Sequence, residues 1–392
     1  MNTKKPIALL ICISLLLSTL IGCVNQNDDD IILNDMNNES SPTPIPDETE
    51  PDGEEDDTVI RTSEGVDFDY AFSAFPADTV MIRVGNLTIT WADLFVIFFR
   101  IINENLLPYP DAVINWSEEL DGAMTLADIV LQYATEEAFS LLAVQYGAES
   151  TGTTLGPNEI ARLQSDMEEF LLNFESIEEL ELSLWQNSGF NNLETFENFV
   201  VLEITVDTIM ATLYGIDSEL ITDELVADYV EQNSFLMAKH ILRDKSASPD
   251  ALADAEDIYN RLLERIGSDD FFDFFDSMMH EYTEDFGGVF SFPDGYLFQP
   301  TDMVPEFSAA TAALEIGEMS EIIETDFGYH IILRLPVNYD DVPFSVAASG
   351  MDSTLRQFAA FDDFYNLYQS WLDSLNPEFT PEYYSIDLEA LF

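Results

Sequence analysis

Ala238-Lys239-His240-Ile241-Leu242 opens, and Glu324-Thr325-Asp326-Phe327-Gly328-Tyr329-His330-Ile331-Ile332 closes, the stretch of this 392-residue chain that decides its fold. Between them lie Gly287-Gly288-Val289-Phe290, Met303-Val304-Pro305-Glu306-Phe307 and Leu314-Glu315-Ile316-Gly317-Glu318-Met319-Ser320. Phe235 to Arg243 reads as a strand. Ser248 to Ile266 reads as a helix: Pro249 lies just inside its start, and Leu252, Ala255, Ile258, Leu262 and Ile266 share an apolar face. Asp269 to Tyr282 gives a second helix and Val289 to Phe292 an inner strand. Pro305 to Leu314 gives a third helix, and Tyr329 to Leu335 the last strand. The expected class is α+β.

This ordered set closely resembles a parvulin-type peptidyl-prolyl isomerase domain. The resemblance implies a four-stranded antiparallel sheet wrapped by helices, over residues 233–339. It sets His240 and His330 side by side on central strands as a hydrogen-bonded pair, with Thr325 in the turn before the last strand. Met303 and Phe307 match the positions that clamp the proline ring; their i, i+4 spacing across Pro305 puts both on one side of a helix. Phe290 is expected at the floor of the pocket and Phe327 near its rim. Asp285 is the counterpart of the Cys or Asp that parvulins carry after the second helix.

Two departures stand out. Tyr282-Thr283-Glu284-Asp285 passes almost directly to Phe286-Gly287-Gly288, a shorter loop than the Gly-rich insertion of the family, so loop geometry decides whether the Asp285 carboxylate reaches the histidines. Arg243 and Lys245, separated by Asp244, give only a weak version of the basic cluster that directs some parvulins to phosphopeptides. His280 matches no site position and is expected on an exposed helix face.

The chemistry at stake needs no covalent step. A prolyl bond crosses between trans and cis over a barrier of roughly 18–20 kcal/mol, because its C–N bond must lose partial double-bond character. An enzyme need only bind the twisted amide better than the planar one. It needs an apolar clamp for the ring and a few polar groups at the rotating amide. Neither a cofactor nor a metal is expected: the sequence offers no zinc-ligand cluster, phosphate loop or Ser/His/Asp arrangement, and it has 3 His and 2 Cys in all.

The N-terminus addresses the chain. Lys4 and Lys5 precede an apolar run from Ile7 to Ile21 that is too short for a mature span, and Leu20-Ile21-Gly22-Cys23 resembles a bacterial lipobox. That resemblance implies a signal peptide over 1–22, a diacylated Cys23, and residence at the outer face of the cytoplasmic membrane. Cys12 lies inside the signal segment, so no disulfide is expected in the mature protein. Residues 23–66 carry Asp28-Asp29-Asp30, Pro42-Thr43-Pro44-Ile45-Pro46 and Glu54-Glu55-Asp56-Asp57, the composition of a disordered, self-repelling tether. The formal net charge of −63 argues against nucleic-acid binding, which relies on Lys and Arg to neutralise phosphates; it fits either attraction of basic unfolded clients or a general acidity that keeps the chain soluble.

Around the isomerase segment the sequence reads as helical. Val80–Val84 and Leu87–Ile89 form a hairpin about Gly85-Asn86; Thr90 then caps a helix, with Asp93 three residues on. Further helices are expected near 125–146, 157–174, 193–214 and 222–232, and after the isomerase over 351–375. The last has a broad apolar face, from Leu355 to Leu372, that must dock somewhere. Residues 67–232 and 340–392 are therefore expected to form one discontinuous, mainly α-helical domain around the isomerase insert. That layout resembles the PrsA-like and SurA-like extracytoplasmic foldases, and implies unfolded or partly folded exported polypeptides containing proline as partners. The aromatic residues of the helical region, from Phe72 to Trp185, are read as core. Two functions follow: a prolyl isomerase and foldase, or a holdase chaperone whose parvulin domain turns over weakly or not at all.

Overall fold

The computed structural model describes residues 68–105, 114–120 and 124–391. Cys23, the expected signal segment and the expected tether lie outside the described residues. The described chain divides into two compact units, one taking residues up to Ile209 together with those from Tyr368, the other taking Met210–Leu367.

In the first unit, α1 (Phe68–Ala74) precedes β1 (Val80–Val84) and β2 (Leu87–Thr90). The two strands pair antiparallel about a turn in which Gly85 takes φ +58°, a conformation cheap only for glycine. Next comes α2 (Trp91–Asn105), begun by a reciprocal cap: the Thr90 backbone N–H donates to Asp93 Oδ2 at 2.8 Å and the Asp93 N–H donates to Thr90 Oγ1 at 3.3 Å. After β3 (Glu119–Leu120) and β4 (Met124–Thr125) follow α3 (Leu126–Thr151), α4 (Pro157–Leu171), α5 (Ile177–Ser188) and α6 (Leu193–Tyr214). Trp91, Leu94, Phe95, Ile97 and Phe98 of α2 are fully buried, in one cluster with Ala134, Ala138 and Leu142 of α3 and Leu180 and Leu184 of α5. A late strand, Glu378–Phe379, adds to the free side of β1. α5 has no counterpart in the sequence reading, because only Leu180 and Leu184 mark its buried face.

The second unit begins with α7 (Asp223–Gln232) and β5 (Leu236–Asp244), followed by α8 (Ala251–Leu263), α9 (Phe271–Tyr282) and α10 (Phe286–Ser291). Then come β6 (Tyr296–Phe298), α11 (Pro305–Ala313), β7 (Met319–Glu324), β8 (Gly328–Leu335), α12 (Phe344–Ala348) and α13 (Leu355–Ser374). Four strands make one sheet in the order β6-β5-β8-β7, and each pair is antiparallel. Alternation along the strands serves two cores. Ile241, Ile331 and Leu333 face Ile258 and Leu262 of α8 and Phe275 and Met278 of α9. Ala238 and Ile332 face Phe298 and Phe307 on the other side.

Two sequence expectations are corrected here. Val289–Phe292 is not a strand: the segment from Phe286 is helical, because the Asp285 carboxylate accepts the Gly288 N–H at 3.0 Å and starts a turn. The inner strand is β6, seven residues later than placed. Within α8, Ala255, Ile258 and Leu262 are buried whereas Leu252 is exposed, and Ile266, also exposed, lies past the helix end, so the apolar face is narrower and shorter than the pattern suggests.

The division between units falls inside α6 and α13, so the sheet unit is wider than residues 233–339. Phe235, Met237, Leu297 and Leu355 share a small core, against which Tyr229 and Val230 of α7 pack. Arg356 ties the same parts: it donates to Asp223 at 2.9 Å, Asp340 at 2.8 Å and the Ile221 carbonyl at 3.3 Å.

Candidate active site

The register of the central strands makes the site. His240 lies opposite Ile332, and Leu242 opposite His330, so the two imidazoles are diagonal neighbours on one face of the sheet. Their rings stack with an interplanar angle of 15°, and the two Nδ1 atoms are 3.0 Å apart. Both side chains are buried.

Each end of the pair has a partner. The His240 Nε2 atom is 2.9 Å from Asp285 Oδ2, and the His330 Nε2 atom is 2.8 Å from Thr325 Oγ1. Thr325 Oγ1 also accepts the Phe327 backbone N–H at 3.1 Å. The short loop thus does bring Asp285 to the histidines. It does so because the preceding Thr283 hydroxyl accepts the Leu242 N–H at 3.1 Å, which seats the loop against β5.

Hydrogen bonding fixes the proton positions. His240, as donor to Asp285, holds that carboxyl well below the usual carboxylate range, with the Tyr296 hydroxyl and Gly288 N–H adding to it. An ionised carboxylate only accepts, so His240 Nε2 carries a proton. Burial pushes the His330 pKa down to about 3, and the nearby His240 adds to the shift. His330 is therefore neutral at physiological pH. Where His240 carries its proton on Nε2 alone, His330 Nδ1–H donates to His240 Nδ1 and the Thr325 hydroxyl donates to His330 Nε2.

An apolar wall meets this polar chain. Phe307, near the start of α11, is only 4% exposed and stands edge-on to both imidazoles, with ring centroids 5.2 Å from His240 and 5.5 Å from His330. Met303 is half-buried in the same cluster, before Pro305. Phe327 is 62% exposed, at the outer end of the chain of bonds. Phe290 is 89% exposed on α10, not buried as a pocket floor would be, whereas Phe298 is fully buried with its ring 5.7 Å from that of Phe307. His280 is exposed, away from this network. Arg243 is bonded to Asp254, Glu284 and the Tyr282 carbonyl, and Lys245 to Glu324, so both cations already have carboxylate partners.

Tyr296, at the head of β6, was not singled out in the sequence. Its hydroxyl donates to Asp285 Oδ2 at 2.7 Å, the same oxygen that accepts from His240. A recess beside it is lined by Lys239, His240, Thr283, Asp285, Phe292 and Tyr296. Pro293-Asp294-Gly295 is the signal that could have located this strand, since it marks a turn, and Gly295 takes φ +113° there. No group of His, Cys, Asp and Glu among the described residues is arranged to hold a metal ion, and no described helix is long and apolar enough to cross a membrane.

Comparison with known proteins agrees with this geometry. Residues 240–335 match the family model "Rotamase: PPIC-type PPIASE domain". A foldase protein PrsA from Caldanaerobacter subterraneus subsp. tengcongensis is 37% identical over 122 residues, covering 29% of this chain and 34% of that protein. A chaperone SurA from Chromohalobacter salexigens is 32% identical over 89 residues, covering 23% of this chain and 20% of that protein. The chain thus spans about a third or less of the length of these curated relatives. The crystal structure of PrsA from Bacillus cereus aligns with 76% of this chain and 91% of that one at 16% identity, with a TM-score of 0.29, too low to establish a common arrangement.

Proposed function

We propose, on the premise that residues 240–335 form a PPIC-type parvulin domain, that this chain is a peptidyl-prolyl cis–trans isomerase and foldase. Its substrates are unfolded or partly folded exported polypeptides containing proline. It is held by lipid at Cys23 on the outer face of a bacterial cytoplasmic membrane; each buried acyl methylene contributes about 0.8 kcal/mol to that anchorage.

The observation that carries this reading is the edge of Phe307 set against an imidazole pair whose outer nitrogens are engaged by Asp285 and Thr325. Met303 and Phe307 clamp the proline ring. His240, His330, Thr325 and Asp285 present a fixed set of donors and acceptors to the amide as it twists, so stabilisation grows as the planar amide is left behind. The groups need not reorganise, because each is already bonded to its neighbour. A holdase with an idle parvulin domain is the weaker reading: it drew on the shortened loop, and Asp285 lies 2.9 Å from His240 all the same.

A protease-free isomerisation assay on the full chain tests the proposal, with peptides carrying an acidic, neutral or basic residue before proline. Wild type should catalyse, and Met303→Ala should lower kcat/KM about tenfold, the worth of an apolar contact in a binding pocket. Phe307→Leu should do the same; Phe307 is also core, so leucine is used in place of alanine. A folded wild-type chain that leaves the spontaneous rate unchanged sinks the enzyme and leaves the holdase.

A further inference from the structure

We propose that Tyr296 is a positioning residue for Asp285, and that Phe344, beyond the end of the family-matched span, holds Tyr296 in place. The inference rests on the isomerase reading of the same site. Tyr296 has a ring on one side of the job and a hydroxyl on the other. The hydroxyl reaches Asp285 Oδ2 at 2.7 Å, while His240 Nε2 bonds that same oxygen at 2.9 Å. The other carboxylate oxygen takes the Gly288 N–H at 3.0 Å. The carboxylate is therefore held from three directions. Gly288 has room for this only because it lacks a side chain: a Cβ there would collide with the Tyr296 hydroxyl and the Asp285 carboxylate.

The ring is held as firmly as the hydroxyl. Phe292 lies 4.9 Å from the Tyr296 ring, Phe344 lies 5.5 Å from it in a T-shaped contact, and Phe292 and Phe344 are 5.4 Å apart. These three aromatics close a triangle behind the site. Phe292 ends the turn after α10, and Phe344 begins α12. The matched domain ends at residue 335, nine positions before Phe344. The segment leaving the isomerase sheet is thus part of the active site's support. A domain cut at the end of β8 would keep the histidines and the clamp but lose one wall of the triangle.

The test uses the full chain in four forms: wild type, Tyr296→Phe, Phe344→Ala and Phe344→Tyr. With 3 histidines in the sequence, the imidazole nitrogens can be followed individually by 15N NMR. In Tyr296→Phe and Phe344→Ala the His240 Nε2 signal should move, reporting a displaced Asp285, while Phe344→Tyr should keep the wild-type position. The Tyr296→Phe chain, which loses only one hydroxyl, should show kcat/KM lower by about fivefold, the scale of one hydrogen bond, with KM unchanged because the clamp is untouched. Imidazole spectra of Tyr296→Phe and Phe344→Ala that superimpose on wild type would overturn the proposal. A wild-type chain that isomerises no peptide, yet shows the shifts in both variants, retires the isomerase reading and leaves the positioning role standing.

Discussion

His330 gains nothing by ionising where it sits. Its pKa falls to about 3 from an ordinary 6.5, through burial and the neighbouring His240. The unfolded chain therefore takes up this proton first on acidification. Stability from neutral His330 is present in full above about pH 6.5 and is lost as pH falls toward 3, by up to ~1.4 kcal/mol per pH unit. Urea unfolding at pH 7 and pH 5, on wild type and His330→Gln, should show wild type losing more stability than the variant. Equal losses would mean that His330 titrates normally. Asp285 does not confuse the comparison, because its depressed pKa acts only below the ordinary 3.8. At this scale most residue types of the site were legible: His240, Thr325, His330 and Phe307 come together as their motifs suggest, while the reach of Asp285 was left open by the short loop. Phe290 and Tyr296 were not, since an apolar residue in a short run carries no mark of which way it faces.

Elements with a strong local signal read cleanly. The hairpin at Gly85-Asn86 and the cap at Thr90 are written in turn and capping chemistry, which acts over three or four residues. Thr90→Ala should destabilise the chain by about 1 kcal/mol, the usual worth of a cap, read as a lower urea midpoint at unchanged slope. The cost should not fall below that, because Asp93, pushed up in pKa by burial, loses the hydroxyl that donates to it at 2.7 Å. No change in midpoint would show that the box is idle. α10 shows the opposite case. Gly287-Gly288-Val289-Phe290 has the apolar content of a strand, yet it is helical, with the Asp285 side chain capping Gly288 at its start. α5 escaped notice because two buried leucines do not make a periodicity.

For the whole molecule, charge sets the terms of stability. With 76 acidic and 13 basic residues, the chain repels itself, and the Debye length shrinks from about 30 Å at 0.01 M salt to about 10 Å at 0.1 M. The thermal midpoint should rise over that range, by roughly 2–4 °C for each kcal/mol of repulsion relieved. A midpoint that is flat or falls with added sodium chloride would show that the acidic groups are spaced too widely to matter. The scale of the whole chain is also where reading from sequence reached furthest and then stopped. The motifs' resemblance to parvulins implied the antiparallel sheet and the paired imidazoles, whereas the Pro305 helix start, the apolar faces and the turn and capping residues by themselves determined only the individual helices and strands. Those features are local, and a periodicity of two or of 3.6 carries them. Only the tertiary structure decided that the short loop delivers Asp285 to His240, that Tyr296 and Phe344 stand behind it, and that Arg356 binds α7 to the start of α13. Those are meetings of side chains far apart in sequence, and they depend on backbone distances that no local pattern encodes.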